Sequence, residues 1–291
     1  MEFYNRGAEV FIPDGGVPSP KTLERITHLG IGAHHDDLEL MAMHGILQCY
    51  GRNDNWFGGV VVSDGRGSPR EGSYAYCSDE EMIAIRREEQ KKAAQIGEYA
   101  AVALLEYESS AVKETAATGE AAGSDNELIE DLQKIIVATN PDIIYTHNPA
   151  DKHDTHVAVT IRVIEALRSL PRIFHPHYFY GCEVWRGLDW LLDGDKVVLD
   201  VSSNLQLAHS LIEVHRSQVA GGKRYDLAIE GRKRANATFA SSHKTDYFTH
   251  AIYAMDLLPL VHDASQSISE YVCQFIDKFN KDVKNNLSKY V

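Results

Sequence analysis

The sequence predicts an α/β fold, with one mostly parallel sheet covered by helices on both faces. Three observations lead there. Short runs of strand-forming residues alternate along the chain with stretches of helical period. Strands separated by helices of about ten or more residues form right-handed crossover units, which build parallel sheets. At 291 residues, 44% of them hydrophobic and 24% charged, the composition is that of a globular protein able to bury a large core. No internal repeat and no domain-length linker interrupts the alternation, so one domain over residues 1–291 is expected.

Residues 1–22 hold a Gly/Pro-rich stretch, Ile12 to Pro20, which suits an ordered arm or loop. Ile26 to Ala33 is an apolar run that stops at polar residues, as a buried strand does, and Leu38 to Tyr50 has helical length and spacing. Gly58 to Val62 reads as a strand, followed by a polar loop with Gly65, Gly67 and Pro69. A helix rich in Glu, Lys, Arg and Ala spans Glu80 to Ala101, and Val102 to Tyr107 is the next strand. Thr115 to Asp125 is Ala/Gly/Thr-rich and reads as a surface loop. Leu128 to Ala138 is helical by period, Pro141 halts it, and Asp142 to Thr146 is a short buried strand. Helix returns at Val157 to Leu167, with strands at Pro176 to Gly181 and Lys196 to Val201. From about Leu205 the chain reads as mainly helical, packed on the same sheet.

A net charge of −13 speaks against nonspecific binding to nucleic acid, which needs a basic surface, and fits a neutral or cationic small substrate better. Cys49, Cys77, Cys182 and Cys273 form no CxxC pair and read as reduced, mostly buried thiols. Neither a signal-peptide core nor an apolar run of the roughly 18 residues that span a bilayer is present. A soluble, cytoplasmic protein without a membrane partner is the expectation.

In an open α/β sheet the ligand site lies beyond the carboxyl ends of the strands. Two strand candidates end there in clusters of metal-binding residue types: His34-His35-Asp36-Asp37-Leu38-Glu39, and His147 through Asp151, His153, Asp154 and His156. A catalytic zinc takes three protein ligands from His and carboxylate and leaves a position for water. The first cluster can supply a His and an Asp and the second a His, with carboxylates to spare for proton transfer. His153 and His156 are three apart and share one face at a helix start. Taken alone, Asp36 or Asp37 reads equally well as a helix cap, and the second cluster as a solvated loop. Two such clusters after strands of one sheet make coincidence a poor account.

Ala33-His34-His35-Asp36-Asp37-Leu38-Glu39 resembles the AHPDDxE motif of the PIG-L/LmbE-like zinc-dependent N-deacetylases, and His147 to His156 resembles their HxPxDxHPDH motif. Ser63-Asp64-Gly65 with Ile85-Arg86-Arg87-Glu88-Glu89 is similar to the family's post-strand loop and RxxE-type helix, and His215-Arg216-Ser217-Gln218 to its HxSQ element. The resemblance covers roughly residues 25–220 and implies a Rossmann-like fold and hydrolysis of an acyl amide, most often acetyl, on an amino sugar or sugar conjugate. By it His34, Asp37 and His156 bind one zinc ion per chain. Asp36 is the general base, and His153 stabilises the oxyanion or protonates the leaving amine. Homo-oligomers occur in the family. Two departures stand out: His35 replaces the usual Pro, and Asp154-Thr155 replaces Pro-Asp before the last His. Asp151 and Asp154 are then the candidates to orient a histidine in place of that Asp.

Asp64, Arg66, Arg86 and Asp151 are candidate substrate-binding residues, with Arg70 a weaker one, and Trp185 or Trp190 could stack on a sugar ring. Gly221 to Asp226 with Arg232, Lys233 and Arg234 forms a basic patch that reads as a charged helix face. Two rival readings remain at this stage. Paired aspartates also suit a magnesium- or manganese-dependent phosphoesterase, and the fold could serve a sugar-binding protein without turnover.

Overall fold

The computed structural model describes residues 1–291 except 17–18, 115–122, 221–223 and 242, together with the side chains of 123–125. In chain order the elements are β1 (Glu9–Phe11), α1 (Pro20–Glu24), β2 (His28–Gly32), α2 (Asp37–Met41), α3 (Met43–Cys49), β3 (Phe57–Ser63), α4 (Asp79–Ile96) and β4 (Ala101–Tyr107). They continue with α5 (Ser109–Lys113), α6 (Gly123–Thr139), β5 (Ile143–His147), α7 (Asp154–Ser169), β6 (Tyr178–Cys182) and β7 (Val197–Asp200). The last are α8 (Leu205–Val214), α9 (Arg216–Val219), α10 (Tyr225–Phe239), β8 (Ala251–Asp256), α11 (Leu258–His262) and α12 (Ile268–Leu287).

One eight-stranded sheet runs in the order β1-β4-β3-β2-β5-β6-β8-β7. Its five central strands, β4-β3-β2-β5-β6, pair in parallel, and the outer strands β1, β8 and β7 pair antiparallel. The expected mostly parallel α/β fold is borne out. From β2 the chain winds outward through β3 to β4, then returns to add β5 on the other side of β2. The gap between β2 and β5 is therefore the switch point of the sheet, where the loops after neighbouring strands leave in opposite directions and open a crevice.

Alternation along each strand sorts side chains to the two faces. On β3, Val60 and Val62 enter one apolar cluster and Val61 the other; on β4, Ala101, Ala103 and Leu105 face Val102 and Leu104 in the same way. Both clusters are buried, which explains why these strands read as continuous apolar runs. Gly32 closes β2 for a steric reason: a Cβ there would come within 2.9 Å of Asp37 Cβ, so only glycine lets α2 dock this close to the strand end.

Several boundaries differ from the sequence reading. The expected helix from Leu38 to Tyr50 breaks at Ala42, whose φ of −100° and ψ of 15° leave the helical region, and becomes α2 and α3. Helix α4, which opens on a Ser78/Glu81 capping box, ends at Ile96 because Gly97 and then Glu98, at φ 53°, turn the chain out of the helix before β4. The N-terminal arm contributes β1, an edge strand beside β4. The C-terminal part holds β8 as well as helices; its apolar run His250 to Met255 lies among helical patterns, and it earns its place only by pairing with β6 and β7. Most of the loop expected at 115–125 lies outside the described residues, as do residues 221–223 of the basic patch. All four cysteines are free; Cys49 and Cys182 are buried and Cys273 is exposed. No described helix is long and apolar enough to cross a membrane.

His28, at the start of β2, is buried against Tyr145, with ring centroids 6.3 Å apart. Burial, with the nearby His44, pushes its pKa down to about 4. The unfolded chain therefore binds a proton that the folded chain rejects, and folding stability falls as pH drops from about 6.5 toward 4. His28→Phe should reduce the loss between pH 7 and pH 4 by up to about 3 kcal/mol, measured by urea unfolding. An identical pH slope in both proteins would show that His28 titrates normally.

Candidate metal centre and active site

The two motif clusters meet at the β2/β5 switch point. His34 to Asp37 leave β2, and His147 to His156 leave β5 and enter α7. His34 Nδ1 lies 3.2 Å from Asp37 Oδ2 and 3.1 Å from His156 Nε2, and His156 Nε2 lies 3.4 Å from Asp37 Oδ1. Ligands about 2.0–2.1 Å from a tetrahedral zinc lie roughly 3.3 Å from one another, so these three groups have the spacing of a facial ligand set. His153 shares a possible donor cluster with His34 and His156, and His147 shares one with Asp37 and His156.

Protonation separates these candidates. His156 Nδ1 faces Asp151 Oδ2 at 3.3 Å, which places its proton there and leaves Nε2 as a lone pair toward Asp37. Burial pushes the His156 pKa down to about 3, so the ring is neutral, as a ligand must be. Burial opposes ionisation of Asp37, but the imidazoles of His156 and His147 outweigh it and hold the carboxyl well below its usual range. His147 Nε2 already accepts the Ala33 N–H at 2.9 Å. Its ring stacks on His156 with centroids 3.8 Å apart, which makes it a wall that locks the ligand ring. The donor set of two imidazoles and one carboxylate fits zinc better than a hard cation that prefers oxygen.

Asp36 sits beside this set in a left-handed conformation, φ 102°, which for a non-glycine residue is strained and is paid for by surrounding bonds. Its backbone N–H reaches Gln90 Oε1 at 3.3 Å. The buried Arg86 guanidinium donates to His35 O, to Asp36 Oδ1 at 3.3 Å and to Ser68 Oγ at 3.2 Å. Burial raises the Asp36 pKa to about 6, with Arg86 limiting the rise and Asp37 adding to it. Such a carboxyl exchanges protons near neutrality. His153 stacks on His156 at 4.5 Å, and burial and then His34 lower its pKa, so it is a neutral imidazole at pH 7.

A cavity of about 490 Å³ opens over these groups. His34, Asp36, Asp37, Arg86 and His153 line it together with Gly65, Ser68 and the aromatic pair Trp185 and Tyr225, whose rings meet edge to face at 5.8 Å.

Three of the substrate-binding candidates, Asp64, Arg66 and Asp151, lie outside the lining of this cavity. Asp64 is buried and bound to Arg66 at 2.6 Å; Arg66 also pairs with Glu108, and both line a separate surface hollow rather than this cavity. Asp151 is buried, and its two oxygens accept the backbone N–H groups of Lys152, His153, Trp185 and Arg186 besides facing His156, so it has no lone pair to offer a substrate. It is the group that orients His156, while Asp154 is exposed at the start of α7 and Thr155 is buried. Arg86 does line the cavity. Of the two tryptophans, Trp185 lines it and Trp190 packs against the core.

Sequence reading missed the polar scaffold beneath. Buried Glu39 accepts from Gln90 Nε2 at 2.9 Å, Tyr99 OH at 2.6 Å and His215 Nε2 at 3.0 Å. Burial opposes the charge on His215, yet the bond to Glu39 and its charge win and raise the pKa. Glu89 holds Ser217 through its N–H at 2.8 Å and its hydroxyl at 2.6 Å. The only signal for this scaffold was the pair of helix and HxSQ-like patterns, which say nothing of who meets whom.

Residues 29–167 match the family model described as PIG-L, GlcNAc-PI de-N-acetylase. The resemblance read from the motifs is thereby borne out for the stretch that carries His34, Asp36, Asp37, His153 and His156. The PIG-L match stops before His215. No curated protein matches the chain. Among solved structures, the N,N'-diacetylchitobiose deacetylase of Pyrococcus horikoshii, complexed with its inhibitor, is 18% identical with a TM-score of 0.60, covering 86% of this chain and 90% of that one. The A40926 pseudoaglycone deacetylase Dbv21 is 14% identical with a TM-score of 0.54, covering 80% and 97%. GalB, the 4-carboxy-2-hydroxymuconate hydratase of Pseudomonas putida, is 16% identical with a TM-score of 0.60, covering 80% and 96%. These likenesses show a shared fold, and a fold that hosts both deacetylases and a hydratase does not dictate the reaction.

If Asp151 orients His156, Asp151→Asn should weaken metal binding about 10- to 100-fold while leaving the metal-free fold intact. Competition with a chelating dye reads the affinity, and thermal unfolding of the metal-free protein controls for the fold. Unchanged affinity would restrict Asp151 to shaping its loop.

Proposed function

We propose that this chain is a zinc-dependent hydrolase that removes an acyl group, acetyl first among candidates, from the nitrogen of an amino sugar or sugar conjugate. The observation that carries the reading is the convergence of His34, Asp37 and His156 from two strands, with Asp36 beside them on the wall of one cavity, inside the stretch that matches an N-deacetylase family. His34, Asp37 and His156 would hold one metal ion per chain. When bound, the ion lowers the pKa of water and polarises the acyl carbonyl.

The chain's own groups divide the remaining work. Asp36 takes the proton of the attacking water, and its elevated pKa equips it to return that proton to the departing amine. Neutral His153 donates a ring N–H to the oxygen on which negative charge develops. Arg86 holds the Asp36 carboxylate and the loop at Ser68 in place. Trp185 and Tyr225 offer an apolar wall to a sugar ring, while the polar groups opposite take its hydroxyls. The presence of two imidazoles among the three closest groups favours this chemistry over the phosphoesterase alternative.

The test is release of acetate from a panel of N-acetylated amino sugars and conjugates by the zinc-loaded protein, read by mass spectrometry. Asp36→Asn should keep about one metal ion per chain and lose roughly 10² to 10⁴-fold in kcat. Asp37→Asn, His34→Ala and His156→Ala should lose metal first, with activity partly recovered in excess zinc for Asp37→Asn. Loss of metal in Asp36→Asn with retention in Asp37→Asn would reverse the two roles. Retained metal and activity in both would rule out the hydrolase mechanism.

A further inference from the structure

Helix α12 is 20 residues long, yet only its first part belongs to the core. Tyr271 is buried and donates its hydroxyl to Asp256 O at 2.6 Å, and Ile268 and Phe275 pack on the apolar cluster below. From Ile276 to Val291 every residue is exposed. The apolar stripe does not stop where the core stops. Ile276 (47% exposed), Phe279 (41%), Val283 (39%) and Leu287 (58%) follow one another at spacings of three and four, one face of the helix, and Tyr290 continues the line. Asn, Asp, Lys and Ser288 fill the positions between them.

We propose that this stripe is a self-association surface, on which α12 of one protomer pairs antiparallel with α12 of its partner. A helix of this length without tertiary packing is marginal in water, so an amphipathic segment projecting from the core calls for a mate. The five side chains, between 39% and 89% exposed, present roughly 500 Å² of apolar surface, taking about 150–250 Å² for each were it fully exposed. That is near the upper limit for a monomer's largest patch, and two such faces reach the roughly 1,000 Å² of a specific interface. Charge fixes the direction. The first half of the helix carries Glu270 and Asp277, whereas the part from Lys278 onward carries Lys278, Lys281, Lys284 and Lys289 against Asp282 alone. Parallel pairing sets lysines against lysines. Antiparallel pairing of the stripe about Val283 brings Asp277 near the partner's Lys289 and Asp282 near the partner's Lys284, and opposes the two helix dipoles.

Sedimentation equilibrium and light scattering on the full chain should give twice the 32.5 kDa chain mass, falling to the single mass on dilution. Phe279→Glu combined with Val283→Glu should raise the dimer dissociation constant by about 10³-fold, since two central apolar anchors become charges. Near-ultraviolet circular dichroism should be unchanged, because neither residue touches the core. Asp277→Lys with Asp282→Lys should also weaken self-association, and mixing that variant with Lys284→Glu/Lys289→Glu should restore a mixed dimer. A chain that stays monomeric at all concentrations, or a dimer indifferent to the Phe279/Val283 change, overturns the surface. Failure of the charge-swapped pair to re-associate overturns the antiparallel arrangement. None of these readouts depends on catalysis, so their outcome is separate from that of the deacetylase reading.

Discussion

Parallel pairing of β2 with β5 is the constraint on which the site depends. Their register aligns His28 with Ile143 and Gly30 with Tyr145, so both strands end at the same level and their loops emerge side by side. Two groups of candidate ligands more than a hundred residues apart in sequence thereby come within 3.4 Å of one another. A slip of the pairing would turn the strand faces over and carry one loop away from the other. The apolar faces of the sheet, sorted residue by residue into two clusters, hold that register.

The centre is dense in buried polar groups, and each has a cost that its neighbours must offset. Asp37 accepts the His34 backbone N–H at 2.7 Å, and His156 stays neutral because burial disfavours its charge. A third layer supports both. Glu39, Gln90, Tyr99 and His215 form a closed set of hydrogen bonds that ties α2, α4 and the start of α9 together beneath Asp36. Such a network rigidifies the turn that holds Asp36 in its left-handed conformation, at the risk that loss of one member strands the others. His35 is an open account in this region: it is buried, and neither of its ring nitrogens has a partner.

The contrast between the two ends of the molecule is instructive. At the switch point polar side chains are buried among one another, whereas along the outer half of α12 apolar side chains stand in solvent. Both are departures from the usual partition of residues, and departures of that kind mark places where a ligand or a partner belongs.

Much of this was legible in the sequence, and the reasons are local. Strands buried on both faces must be apolar throughout, so β2, β3, β4 and β5 announced themselves, and residues with metal-binding chemistry directly after two of them gave the site. The stop at Pro141 acts within a few residues and could be read there. Tertiary structure alone decided what depends on distant neighbours. β8 is a strand because β6 and β7 offer it edges, and Asp64 and Arg66 are lost to the site because they satisfy each other elsewhere. Asp151 turns from a substrate contact into the support of His156, because four backbone N–H groups from two loops close around it. A sequence lists which groups could bind or donate. Only packing determines which of them still have a lone pair or a proton left to give.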